Sequence, residues 1–294
     1  MDSHPGRDGF FDFVERPFSL TPDPKYYFRS RSHGQVFDAL STGVANRESL
    51  LLVAGDLGVG KTTLCKTFVS LLQRRTRAVL VGNALLSPED LLRLLLQDVG
   101  AVAKDEVRRG RLAGASRAEL HRMLDEFLIQ LRSTKDGAVV IIDEAQSLPP
   151  ATVDEVVALA SIESENENVL QILLAAQRPP AAGPALPRVL DDRIGTRARL
   201  LPLDRDECER YVAHRLTIAG GSLVAFSPGA IDVIHGLSGG TPRLVNLLCE
   251  RALEVAATAQ SHRVGAEMIE SAASGLEMLR LRSKRFRWFG THGR

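Results

Sequence analysis

Residues 49–75 read SLLLVAGDLGVGKTTLCKTFVSLLQRR, and three local patterns follow one another without a gap. Leu50 to Ala54 is a continuous apolar run closing at Gly55, the pattern of a strand buried on both faces. Gly55 to Thr62, GDLGVGKT, fits G-x-x-x-x-G-K-[ST] in full. Beyond it Leu64, Phe68, Leu71 and Leu72 recur at helical spacing. A strand, a glycine-rich loop and a helix are the setting in which such a loop wraps phosphate. Backbone N–H groups at 58–62 point at the anion, and the helix dipole favours negative charge there. In that setting Lys61 reaches the β- and γ-phosphates and Thr62 brings its hydroxyl to Mg²⁺. Gly55, Asp56, Gly58, Val59, Gly60, Lys61, Thr62 and Thr63 are therefore the expected ATP-binding residues.

A second motif completes the chemistry. VVIIDEAQ (139–146) ends an apolar run in two carboxylates, and adjacent carboxylates there are costly unless a cation or a water network meets them. Asp143 is placed to hold Mg²⁺, and Glu144 to orient and polarise an attacking water. Further strands are expected in RAVLVGN (77–83), NVLQILLAAQ (168–177) and RARLLPL (197–203). Helical patterns alternate with them, among them the capped stretches SPEDLLRLLLQDV and SRAELHRMLDEFLIQLR, so the sheet is parallel and covered on both faces. KDEVRRGRLAGAS (104–116) reads as a surface loop. Gln177 ends the fourth strand, between the first and third, where it can touch the γ-phosphate or the attacking water.

After Leu203 the spacing becomes helical throughout and no strand-like run recurs. In SGGTPRLVN (238–246) a turn opens one of these helices and carries Arg243, which could swing over the phosphates. Arg193 and Arg197, in VLDDRIGTR, could serve a neighbouring subunit's nucleotide, because positioned positive charge is what phosphoryl transfer needs.

Bulk composition narrows the classes. With 294 residues, 44% hydrophobic and 25% charged, the chain can bury a core and is not globally disordered. A net charge of +1 argues against a strongly basic nucleic-acid module. Cys65, Cys208 and Cys249 are far apart and form no zinc or disulfide framework. There is no signal-peptide pattern and no apolar run near the ~18 residues of a membrane span, which suggests a cytoplasmic protein. The stretch RLRSKRFRWF (280–289) interleaves arginines and aromatics, a pattern that suits an anionic membrane surface or a nucleic acid.

The phosphate loop, IIDEAQ, the polar residue after the fourth strand and the GGTPR turn together resemble the AAA+ ATPases. PFSLTPDPKYYFRSRSH, YVAHRLTIAG and SGGTPRLVNLLCERAL narrow the resemblance to the ExeA/GspA branch, general secretion pathway protein A-like and MshM-like, over roughly residues 9–275. The resemblance implies an α/β P-loop fold with a five-stranded parallel sheet in the order 5-1-4-3-2 and a C-terminal helical lid. It places the N-terminal Pro/aromatic segment and first helix at 1–47, the core at 48–203, the lid at 204–276 and the basic tail at 277–294. It further implies that Lys61, Thr62, Asp143 and Glu144 are the Walker residues, Gln177 the first sensor, Arg243 the second, and Arg193 or Arg197 the finger. Self-association into a ring or filament, an envelope-assembly partner and a peripheral site at the inner face of the membrane follow from it too. The second choice is a DNA-associated regulator of the TnsC/TniB type.

RPFSLTPDPKYYF (16–28) carries Pro17, Pro22 and Pro24, which fix φ and reduce the freedom lost on ordering. Four aromatics give it apolar area to dock. In the resemblance this segment runs beside the adenine, so Pro17 and Phe18 are expected near the base, with Ser32 capping the helix that follows.

Overall fold

A computed structural model of the chain describes residues 10–72, 75–162, 168–178, 185–221 and 224–275. The basic stretch 280–289 and residues 179–184 lie outside the described residues. Two compact units divide the chain, the first holding residues 31–57 and 61–201.

In that first unit the order is α1 (Arg31–Ala45), β1 (Leu50–Gly55), α2 (Lys61–Leu71), β2 (Thr76–Val81), α3 (Pro88–Asp98), α4 (Lys104–Arg108), α5 (Arg117–Ser133), β3 (Gly137–Ile142), α6 (Pro150–Ala160), β4 (Leu170–Gln177), α7 (Arg188–Asp191) and β5 (Thr196–Leu200). The strands form one sheet in the order β2-β3-β4-β1-β5, all pairs parallel. β3, an unbroken apolar run, is buried along its whole length, and β4 is buried up to Gln177 with Gln171 inside it, its amide donating to the Gly43 and Glu48 carbonyls. The caps work as the sequence suggests. Ser87 accepts from Asp90 N–H with Pro88 opening α3, and Ser116 with Glu119 forms a capping box on α5.

Two local expectations are corrected. KDEVR at 104–108 is a short helix inside what reads as a loop; Asp105 and Glu106 in its first turn and Arg108 in its last agree with the helix dipole. Ser32 lies inside α1 rather than capping it. Its Oγ accepts from Leu201 N–H at 2.9 Å, tying the start of α1 to the end of β5.

The second unit takes residues 10–30, 58–60, 202–221 and 224–275 of those described. Its helices are α8 (Arg205–Ile218), α9 (Pro228–Ser238), α10 (Pro242–Thr258) and α11 (Ala266–Gly275). They are joined by a two-residue parallel pairing of β6 (Ala225–Phe226) with β7 (Arg263–Val264), too short to show in a hydrophobic pattern. Asp204 and Glu207 form a capping box on α8.

The Pro/aromatic segment divides at Ser30: what precedes it belongs to the helical unit, and α1 to the α/β unit. Phe11 and Phe18 are wholly buried in the same core as Tyr211, Leu248 and Ile269, and Phe18 meets Phe226 edge-on at 6.0 Å. Phe18 is thus a packing residue of this unit. Arg215, itself 5% exposed, fastens the segment. Its guanidinium donates to the carbonyl oxygens of Pro17 and Ser19 and to the Tyr211 hydroxyl, and it stacks over the Tyr26 ring at 4.4 Å. A planar fork with several donors suits this task, and lysine could not repeat it. Arg215→Met keeps much of the volume but orphans two carbonyls. It should destabilise the helical unit by about 3 kcal/mol, read as a lower first transition in a thermal melt and faster proteolysis within residues 10–30.

Candidate functional site

The parallel sheet brings the carboxyl ends of β1, β4 and β3 to one edge. Gly55 pairs level with Gln177 and Leu200, and Asp143 follows Ile142 directly, its N–H donating to Val81 O at 3.0 Å. Ligands of open parallel sheets sit at this edge because loops and helix N-termini converge there. Here the loop after β1 opens α2, whose first residues are Lys61 and Thr62.

Lys61 is 4% exposed, and its Nζ donates to the Gly55 and Asp56 carbonyls at 3.0 and 3.2 Å. Burial pushes its ammonium below the usual lysine range, while the carboxylates of Glu144, Asp143 and Asp56 oppose that shift. The Thr62 hydroxyl donates to Asp143 Oδ2 at 2.5 Å, joining the two motifs that lie far apart in sequence. The other oxygen of Asp143 accepts the Glu144 N–H at 3.0 Å. Glu144 has φ 53° and ψ 38°, a left-handed conformation uncommon for a residue with a side chain. Such strain persists where surroundings hold it and collects at functional sites.

What holds it is Gln146, in the short 3-10 turn Ala145–Ser147. Its Nε2 donates to Glu144 Oε2 at 2.5 Å, and its Oε1 accepts the Gln177 N–H at 2.8 Å. One chain of hydrogen bonds therefore runs from Thr62 through Asp143, Glu144 and Gln146 to Gln177. Sequence reasoning passed over Gln146, since only the left-handed turn at Glu144 brings the side chain two residues on back to that carboxylate.

The middle of the phosphate loop, Gly58–Gly60, packs within the helical unit. There Arg243 N–H, at the start of α10, donates to Gly58 O at 3.2 Å. Gly58 has φ +83°, and a Cβ on it would come within 2.7 Å of Arg243 Cβ, so glycine is required twice over. In the GGTPR turn, Gly240 has φ +72° and a Cβ there would run into the Leu203 backbone, where Leu203 N–H donates to Gly240 O at 2.9 Å. The remaining arginines have local partners: Arg193 donates to Ser161 Oγ at 3.0 Å, and Arg197 pairs with Asp191 at 2.7 Å. The three cysteines are buried. Burial pushes the thiol of Cys65, beside Lys61 and Asp143, far up, and that of Cys208 to about 12, so both favour the unreactive thiol form.

Residues 45–181 match the family model described as an AAA domain. The chain is 33% identical over 258 residues to general secretion pathway protein A of Aeromonas hydrophila. That match takes in 87% of this chain but spans 46% of the relative, under half its length. Among solved structures, the ORC2 protein of Aeropyrum pernix superposes with a TM-score of 0.65 at 18% identity, covering 90% of this chain and 72% of that one. The RuvB Holliday junction branch migration motor of Thermotoga maritima does so with a TM-score of 0.58 at 18% identity, covering 91% and 74%. Likeness at that identity establishes the fold and nothing finer. Among the described residues no helix is long and apolar enough to cross a membrane.

Proposed function

We propose that the chain, which matches an AAA domain over residues 45–181 and is similar to general secretion pathway protein A, is an ATPase that binds ATP with Mg²⁺ at Gly55–Thr63 and hydrolyses it to drive or switch assembly of a larger system. That system is an envelope secretion, pilus or polysaccharide apparatus; the relative's name supports the secretion member of this class. The observation that carries the chemistry is the Thr62 hydroxyl against Asp143 at 2.5 Å, with Glu144 hydrogen-bonded to the same carboxylate.

A hydroxyl and a carboxylate are the hard oxygen donors Mg²⁺ takes, and it needs few from protein because it keeps several waters and phosphate oxygens. Thr62 and Asp143 would hold it, and when bound it would neutralise charge on the phosphoryl oxygens. The chain's own groups do the rest. Backbone N–H groups at 58–62 and the Lys61 ammonium would bind the phosphates. Glu144 would accept a proton from the attacking water as its oxygen bonds to the γ-phosphorus and the bond to the β-phosphate oxygen breaks, ADP leaving with the electron pair. Gln177 would orient that water. Arg243 would set a positive charge against the γ-phosphate, and Arg193 or Arg197 would do so across a ring or filament contact, exchanging its local partner for the neighbour's nucleotide. Pro17 and Phe18 would fix the backbone that borders the base, held by Arg215 and the helical core.

The role in assembly is tested by measuring phosphate release with and without duplex DNA at two salt concentrations. Mg²⁺-dependent hydrolysis indifferent to DNA is expected. Strong stimulation that falls steeply with salt, the signature of counterion release, would instead place the chain with DNA-associated AAA regulators.

A further inference from the structure

We propose that Gln146 is a positioning residue for hydrolysis, holding the Glu144 carboxylate in place by bracing it against the end of strand β4. The inference rests on Glu144 being the base that accepts the proton from water.

The geometry assigns the amide unambiguously. A carboxylate oxygen can only accept, so the group facing Glu144 Oε2 at 2.5 Å must be the NH₂ of Gln146. A backbone N–H can only donate, so the group facing Gln177 N at 2.8 Å must be the amide oxygen. Turning the amide over would set donor against donor and acceptor against acceptor. Glutamine is suited to both tasks at once: glutamate could accept from Gln177 but not donate, lysine could donate but not accept, and asparagine is a methylene short of the reach.

The two ends of this brace differ in rigidity. Gln177 closes a buried strand and is still paired there with Gly55 of β1, so its N–H is held by that ladder. Glu144 sits in a left-handed turn with φ 53°, outside any regular element, and its carboxylate has rotatable bonds to spare. Gln146 transfers the rigidity of the strand to the base. With Oε2 tied, the carboxylate has one orientation, and the other oxygen can be presented to water. Functional groups need support of this kind, because misplacement by about 1 Å can cost roughly 100-fold in rate.

The Gln146 side chain bonds only Glu144 and the Gln177 N–H, neither of them a phosphate-binding group, so its loss should separate turnover from affinity. Gln146→Met, similar in shape and unable to hydrogen-bond in this way, is expected to lower kcat by about 100-fold while the Kd for ATP stays within about twofold. The decisive comparison is a double-mutant cycle with Glu144→Gln. If Gln146 acts through Glu144, Gln146→Met costs nothing further once that carboxylate is gone. A merely structural role would subtract the same factor in either background. Gln146→Glu is the second variant, in case the methionine fails to fold. It keeps the acceptor for Gln177 N–H but sets a carboxylate against Glu144, and the same loss of kcat is expected. Wild-type kcat in a folded variant, or losses that add in the cycle, would overturn the proposal. Should Glu144→Gln itself leave turnover unchanged, the reading of Glu144 falls too, and that outcome is distinguishable because the single variant alone reveals it.

Discussion

Glu144→Gln is expected to bind ATP as tightly as the wild type and to hydrolyse it at least about 100-fold more slowly, the contribution of a positioned general base. The amide is nearly isosteric with the carboxylate and can still sit in the left-handed turn after Asp143. It cannot take a proton from water. The hydrogen bonds that join Thr62 to Asp143, and Lys61 to the loop carbonyls, do not involve the Glu144 side chain. Phosphate binding should therefore survive, and the variant should accumulate ATP rather than ADP. Fluorescence titration with a labelled nucleotide and a phosphate-release assay read the two halves of this expectation separately. Loss of both together would mean that the substitution had disturbed the loop.

Lys61→Met is expected to fail one step earlier. Its ammonium is the buried cation of the phosphate loop, 4% exposed. Charge-assisted hydrogen bonds contribute about 1.5–3 kcal/mol, so ATP affinity should fall by about 10- to 100-fold, and turnover with it. Stability should change little, because two effects oppose one another: the Gly55 and Asp56 carbonyls lose the Nζ donor, while a desolvated charge is removed. Burial lowers the pKa of Lys61, which means that folding disfavours its charged form at neutral pH; that charge costs stability rather than adding to it. Methionine removes the desolvated charge and retains the apolar stem. A melting temperature close to the wild type, alongside weak nucleotide binding, would separate a functional lysine from a structural one. A folded variant that binds ATP normally would rule out its phosphate role.

The fold was legible because its signals are long and redundant. β1 and β3 are apolar runs punctuated by motif-bearing loops, and the order β2-β3-β4-β1-β5 is the one that the resemblance to the AAA+ ATPases implied. Capping residues marked helix starts at Ser87 and Ser116 for the same reason, since an orphan N–H needs an acceptor at a fixed offset. Failures fell where the signal is short or three-dimensional. Lys104–Arg108 is a single helical turn with no buried residue, so no amphipathic pattern could declare it. The β6–β7 pair is two residues long. Ser32 has the residue type of a cap, but its hydroxyl is drawn to Leu201, a partner remote in sequence.

Within the candidate site, Lys61, Thr62, Asp143 and Glu144 were singled out by motif spacing, and the structure brings Thr62, Asp143 and Glu144 into one hydrogen-bonded chain. Gln146 was not, because its contact depends on a backbone conformation no propensity favours. Arg215 was hidden in another way. It lies in the branch-specific YVAHRLTIAG, but its partners are main-chain carbonyls at Pro17 and Ser19, and backbone acceptors leave no residue-type signature at the far end. The aromatics of the N-terminal segment were rightly expected to dock. Their destination, the core of the helical unit, could not be read from their spacing.

The most direct measurement is the identity of the nucleotide held after the protein is incubated with ATP and Mg²⁺, separated from free nucleotide and analysed by chromatography. Wild type should hold ADP and Glu144→Gln should hold unhydrolysed ATP. If Glu144→Gln holds ADP formed at the wild-type rate, the carboxylate after Asp143 is not the base, and the chemistry assigned to this site is wrong.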